Sequence, residues 1–254
     1  MEKDSVNDIL VEFCTDFIDW QKRAAGEKGF FVRLLDRFGC KKVFESCMGD
    51  GFNCLSLLWY GYEVTGNEID PYFRELALAN IQQQKMKLDS ITAYDWREIP
   101  DEFACSHDAV LCLGNSLTYM MTRAEQELVV RNFKKIIRPG GIVVIDHRNY
   151  DYMLDEREHI LKDPQNNFRY SRKFYYCGEN VSCYPVEIED KRVVLEYKHK
   201  VSGKAGRLEL YPFRREEVID VMESAGLEVV ESYGDFELGK IGEVDFYQHV
   251  GIKR

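Results

Sequence analysis

Glu45, Gly49, Gly51 and Glu68 have the types and spacing to hold a nucleoside. The run Glu45-Ser-Cys-Met-Gly49-Asp-Gly51 ends a short apolar segment, and Glu68 follows Gly49 by 19 positions. A glycine turn between a strand and a helix brings backbone amides beside a ligand. An acid at the tip of the next strand is placed to accept two hydrogen bonds from a ribose diol. A second reading of Glu68, as the cap of the helix after Pro71, is weaker because Asp70 suits that cap better. Elsewhere Arg148 stands at the carboxyl end of a buried strand-like segment, a position suited to meeting a ligand.

Two nucleoside cofactors compete for such a turn. A dinucleotide site usually wants a third glycine for helix packing; here Cys54 stands in its place, and no basic residue is evident for a pyrophosphate. Glu45 at the end of the first strand would repel a pyrophosphate but suits a ligand carrying an ammonium and a sulfonium. The expected cofactor is therefore S-adenosylmethionine (SAM), with NAD as the lesser alternative.

These residues need a frame, and the hydropathy pattern supplies one. KKVFES (41–46), YEVTGNE (62–68), ITAYD (91–95), DAVLCLG (108–114) and GIVVIDHR (141–148) read as strands. Helices are expected from about Phe52, from Pro71, and over RAEQELVVRNFKKII (123–137), the last stopped by Arg138-Pro139-Gly140-Gly141. Alternating strands and helices imply an α/β fold with a doubly wound parallel sheet. VNDILVEFCTDFIDW and KGFFVRLLDRF read as helices before it. After about 165, RKFYY, VSCYPVEI, VVLEYKHKV and GRLELYPF read as strands with no helices between, an antiparallel insert over the sheet. REEVIDVMESAG is a helix, and LEVVESYGD and DFYQHVGIK close the fold as strands. One domain is expected over 1–254: N-terminal helices (1–38), cofactor core (39–155), antiparallel insert (165–213) and closing elements (214–254).

Composition narrows the function. The chain has 254 residues, 45% hydrophobic and 31% charged, with a net charge of -10. That balance argues against nucleic acid, since phosphate binding needs clustered Lys and Arg. No apolar run approaches the length of a membrane span, and MEKDSVNDIL lacks the bases and apolar core of a signal peptide, so no membrane partner and a cytoplasmic location are expected. The eight cysteines show no C-x-x-C pair and no zinc spacing; reduced thiols and no metal are expected.

LCLGNSLTYM (111–120), followed by GGIVVIDHRNYDYML (140–154), resembles glycine N-methyltransferase and the related glycine/sarcosine methyltransferases, DHRNYDY being the most specific part. The resemblance runs from about Arg23 to Tyr152 and continues faintly through VVLEYKHKV and LELYPF. It implies the class I SAM-methyltransferase fold (Rossmann-like), a seven-stranded sheet with its last strand antiparallel. It implies that Arg23 meets the SAM carboxylate, that Gly49 and Gly51 flank the methionine part, and that Glu68 holds the ribose. Asp95 and Trp96 would contact adenine, matching an Asn-Trp pair in the family; Leu113 and Asn115 would line the cleft. Trp20, Glu45 and Ile69 complete the candidate cofactor set. Arg148 would clamp the substrate carboxylate, with Asn115, Tyr150, Tyr197 and Tyr211 around the acceptor. This sequence departs from the family in Glu45, where Asp is usual, in Cys47, Met48 and Asp50 of the turn, and in an N-terminal arm shorter than the one the animal enzyme uses in assembly. A homo-oligomer stays an option.

The expected activity is methylation of a small amine or amino acid such as glycine or sarcosine, by in-line transfer to an uncharged nitrogen, under a lid formed by the insert. The competing readings are a methyltransferase with a larger N- or O-acceptor and a SAM-binding protein without turnover. His147 reads as a structural hydrogen-bonding residue.

Overall fold

The computed structural model describes residues 18–168 and 178–254. Most of VNDILVEFCTDFIDW, all of RKFYY, and Cys14 and Cys177 lie outside the described residues.

Two short helices open the described chain. Asp19 caps α1 (Trp20–Glu27) by accepting from the amides of Gln21 and Lys22. In α2 (Phe30–Arg37), Phe30, Phe31, Leu34 and Leu35 recur at helical spacing and are all buried. The core alternation follows: β1 (Lys42–Glu45), α3 (Phe52–Trp59), β2 (Glu63–Asn67), α4 (Pro71–Gln83), β3 (Ser90–Thr92), β4 (His107–Cys112), α5 (Arg123–Ile136) and β5 (Ile137–Arg148). Asp70 caps α4, with Pro71 in its first turn. Thr122 and Glu125 form a reciprocal capping box on α5.

The chain ends in α9 (Arg215–Ser224), β9 (Glu228–Gly234), β10 (Glu237–Leu238) and β11 (Phe246–Ile252). The main sheet has the order β10-β9-β11-β5-β4-β1-β2-β3. β1 to β5 pair in parallel, and β11 runs antiparallel to both β5 and β9. The strand order reverses beside β1, so the tips of β1 and β4 diverge and leave the crevice where open α/β sheets take their ligands. Apolar clusters cover both faces: Val43, Leu111 and Val144 look toward α2 and α3, and Phe44, Val110 and Ile145 toward α5 and α9.

The sheet has one strand more than expected, the two-residue β10, a short hairpin return on β9. The helix α5 ends at Ile136, just before Arg138–Gly141, as expected. α5 passes straight into β5, and the register with β4 jumps between His107 and Ala109. The extra residues are held as a bulge because Gly140 donates to Lys253 and Lys253 to Gly141. Between β5 and the insert, where no element was expected, lie three short helices, α6 (Tyr150–Asp155), α7 (Arg157–Lys162) and α8 (Pro164–Asn167).

The antiparallel insert is a separate sheet of β6 (Val181–Glu189), β7 (Arg192–His199) and β8 (Ala205–Leu210). Val193, Leu195, Tyr197 and Leu208 pack on Tyr150, Met153, Leu154 and Ile160 of α6 and α7. The amide of Tyr211, just past β8, donates to Thr118 in the turn after β4. Among the described residues, six cysteines are free, no cluster could hold a metal ion, and no helix is long and apolar enough to cross a membrane.

Gly51 caps α3 at φ +90°, and a Cβ there would come within 3.2 Å of the Ala77 Cβ on α4. Gly51→Ala is expected to lower stability by about 2–3 kcal/mol, from left-handed strain plus crowding. Urea denaturation checks this; an unchanged midpoint would contradict the packing role.

Candidate active site

β1 ends on Glu45, and the following turn is folded onto its neighbours by backbone bonds. The amide of Ser46 donates to Leu111 on β4, and that of Met48 to Asn67 on β2. Asn67, fully buried, fixes the far side: its Nδ2 donates to the carbonyls of Ser46 and Tyr94, and its Oδ1 accepts from Thr92 and Tyr94. Gly49 sits at φ +52°, and a Cβ on it would meet no protein atom within 4 Å. The space beside it is part of a cavity.

Glu68, just past β2, turns its carboxylate back to this turn. Oε2 accepts from the Gly49 amide at 2.9 Å and from the Cys47 thiol, and Oε1 from the Asp70 amide at 3.1 Å. Burial pushes its pKa up, opposed by the Asp70 and Gly49 amides. A carboxylate has about four acceptor sites, so these contacts fix Glu68 and still leave capacity for hydroxyl donors.

The tips of β1, β2 and β4 enclose a cavity of about 390 Å³, a usual size for a small-molecule site. Gly49, Glu68, Ile69, Asp95 and Trp96 line it, as the sequence suggests. Ile69 is an exposed rim residue. Asp95 pairs with Arg97 at 2.6 Å; Trp96 donates from Nε1 to the Ser46 carbonyl at 2.7 Å and packs edge-on against Phe133. Phe73, Tyr94, Ser116, Tyr119 and Met120 also line the cavity; no sequence spacing marks them.

Trp20, Arg23, Glu45, Gly51, Leu113 and Asn115 stand outside the cavity lining. Trp20 and Arg23 brace the turn instead. Trp20 Nε1 donates to Asp50 Oδ2 at 2.6 Å, and the Arg23 guanidinium lies 4.8 Å over the Phe52 ring. Arg23, expected to meet a carboxylate of the cofactor, pairs here with Glu27 at 2.6 Å and with Asn53 Oδ1. Glu45 is fully buried beside this pair; Oε1 accepts from Asn53, and Oε2 has no partner among the described residues. Glu27, Glu45 and Asp146 thus share the neighbourhood of one guanidinium. Burial pushes Glu45 up to about 8, against the Asn53 bond and the Arg23 charge, and pushes Asp146 to about 6.

Asn115 organises the second half of the site. It holds a left-handed conformation, φ 67°, which Asn tolerates better than most residues. Its amide donates to Asp146 Oδ1 at 3.1 Å, Oδ1 accepts the Arg148 amide at 3.0 Å, and Nδ2 donates to the Tyr150 hydroxyl at 2.9 Å. Asp146 was not singled out from sequence, although an acid inside the apolar run VVIDHR is a visible signal. The Arg148 guanidinium lies 5.4 Å from the Phe246 ring centroid. Tyr150 is fully buried, and burial raises its pKa to about 12. Tyr197 shares its apolar cluster. Tyr211, expected to line the acceptor pocket, instead directs its hydroxyl to Glu217 Oε1 on α9 and packs on Phe213.

The cavity lining fits SAM: the Glu68 carboxylate for hydroxyls, an open glycine at Gly49, and acidic rather than basic neighbours in Asp50 and Asp70. Residues 43–141 match the family described as a methyltransferase domain. A glycine/sarcosine N-methyltransferase of Halorhodospira halochloris is 29% identical, over 97% of this chain and 88% of that one. Glycine N-methyltransferase of Rattus norvegicus is 31% identical over 74% of this chain and 66% of its own. A SAM-dependent methyltransferase of Clostridium acetobutylicum, 14% identical, shares the fold with a TM-score of 0.71 over 97% of both chains. The chain is a class I SAM-dependent methyltransferase. The dinucleotide alternative falls away, and Cys54, fully buried in the core, takes the position of the third glycine.

Glu45 sets a stability cost inside this methyltransferase. Unfolded, its carboxyl ionises above 4.5; folded, it keeps its proton to about 8. Its folded pKa is raised, so stability falls as pH rises through that window. Glu45→Gln is therefore expected to be more stable than the parent at pH 8 and nearly equal to it at pH 4, while binding S-adenosylhomocysteine about tenfold more weakly. Thermal unfolding at both pH values and calorimetric titration check the two halves.

Proposed function

We propose that this enzyme methylates the amino nitrogen of a small amino acid, glycine or sarcosine, with SAM as donor. The two relatives described above act on these acceptors by name. The observation that carries the reading is the Asn115 side chain, which joins the Arg148 backbone to the Tyr150 hydroxyl at the tips of β4 and β5.

When bound, SAM supplies an electrophilic methyl on a sulfonium centre. Glu68 holds the ribose hydroxyls, Asp95 and Trp96 flank the adenine, and the buried acids near Arg23 receive the methionine end. Arg148 binds the acceptor carboxylate in two-point fashion and so aims the nitrogen. Orientation of this kind can lower a barrier by several kcal/mol. Tyr150 is neutral at pH 7 and serves as a hydrogen-bonding group rather than a base. The acceptor must arrive without its extra proton, since an ammonium has no lone pair. The insert, docked on α6 and α7, covers this side and excludes water.

A screen with labelled SAM over glycine, sarcosine, other amino acids and simple amines tests the acceptor; turnover only on larger amines or hydroxyl compounds would overturn it. Arg148→Ala is expected to raise the acceptor KM by at least about tenfold with S-adenosylhomocysteine affinity unchanged. Glu68→Ala should do the reverse, weakening S-adenosylhomocysteine by about 1–3 kcal/mol.

A further inference from the structure

On the face of the sheet opposite Asp146, two buried histidines meet. His147 on β5 and His249 on β11 approach Nε2 to Nε2 at 3.2 Å, with their ring planes 21° apart. Both are fully buried. His249 Nδ1 lies 2.9 Å from Ser232 Oγ on β9, and His147 Nδ1 lies 2.9 Å from the Arg148 carbonyl.

Proton bookkeeping gives this row one direction. A carbonyl only accepts, so His147 Nδ1 carries hydrogen. A neutral imidazole has one N–H, so His147 Nε2 accepts and His249 Nε2 donates. His249 Nδ1 is then an acceptor, and the Ser232 hydroxyl donates to it. The neutral state is secured by burial, which pushes His147 down to about 4 and His249 well below its ordinary value. The nearby cation is Arg215 on α9, stacked over Tyr247, and it disfavours a second positive charge. Phe213 and Tyr247 supply the remaining ring contacts of His147. Protonation of both rings would set two N–H groups against each other.

The row ends on the backbone of Arg148. The Arg148 amide is already held by Asn115 Oδ1 from β4. Its carbonyl is held by His147, and His147 in turn by β11 and β9. We propose that Ser232, His249 and His147 form a one-way hydrogen-bond relay that positions Arg148 for the acceptor carboxylate. They are positioning residues, acting through Arg148, and the inference rests on the reading of Arg148 as the acceptor clamp.

Nitrogen-15 NMR of the histidine rings tests the relay without any acceptor. The expected result is hydrogen on Nδ1 of His147 and on Nε2 of His249 at pH 7; the opposite tautomers, or a charged ring, would overturn the relay. Kinetics then test its purpose. His249→Phe removes the donor to His147 and should raise the acceptor KM about tenfold, with kcat and S-adenosylhomocysteine affinity changed less than about threefold. His249→Gln keeps a donor near Nε2 and an acceptor for Ser232, and should restore the parent KM. Should His249→Phe fail to fold, Ser232→Ala, at a half-buried site, is expected to move the KM in the same direction. Unchanged KM in the folded variants would overturn the positioning role. If Arg148→Ala itself leaves the acceptor KM unchanged, the clamp fails and its positioning with it, whatever the tautomers.

Discussion

The Glu68 carboxylate reaches back from the tip of β2 to the turn after β1 and accepts the Gly49 amide. The cofactor crevice is organised around that bond. It joins the tips of the neighbouring parallel strands β1 and β2, and it ties an acid whose burial opposes ionisation to donors that favour it. Asn67 repeats the arrangement one residue earlier, closing on Ser46 and Tyr94. The wall is therefore set before a ligand arrives, which limits the ordering that binding must impose.

The two halves of the site solve different electrostatic problems. The half proposed for the methionine end of the cofactor gathers Glu27, Glu45 and Asp146 around one arginine, an environment short of positive charge. The half proposed for the acceptor has Arg148 at a strand tip, with the neutral Tyr150 phenol and the Asn115 amide beside it. Asn115 stands between them, bonded to Asp146 on one side and to Arg148 and Tyr150 on the other. Strand alternation then sends His147 to the opposite face from Asp146 and Arg148, so one strand end serves the site on one side and its support on the other.

Much of this was legible in the residues. Glu68, the glycine turn, Asp70 as a cap and the five core strands follow from local pattern, because each depends on neighbours close in sequence. The bulge at Arg138–Gly141 was not legible: it is stabilised by Lys253, more than a hundred residues away. The helices over 150–167 were missed because they are short and gain their order by packing under the insert. Tyr211 and Arg23 carry the right side chains for the roles assigned to them, yet Glu217 and Glu27 engage them, and rotamer choice is a matter of tertiary surroundings.

The amino-acid sequence by itself determined the alternation of strands and helices, the nucleoside-binding turn and the kind of cofactor, since these are written in periodicity, in glycine positions and in the charge of single residues. Only the tertiary structure decided which buried carboxylates share Arg23, that the Tyr150 hydroxyl meets Asn115, and that two histidines 102 positions apart meet edge to edge behind Arg148. Those contacts join β4, β5, β9 and β11 across the sheet, and their hydrogen-bond directions exist only once the strands are in register.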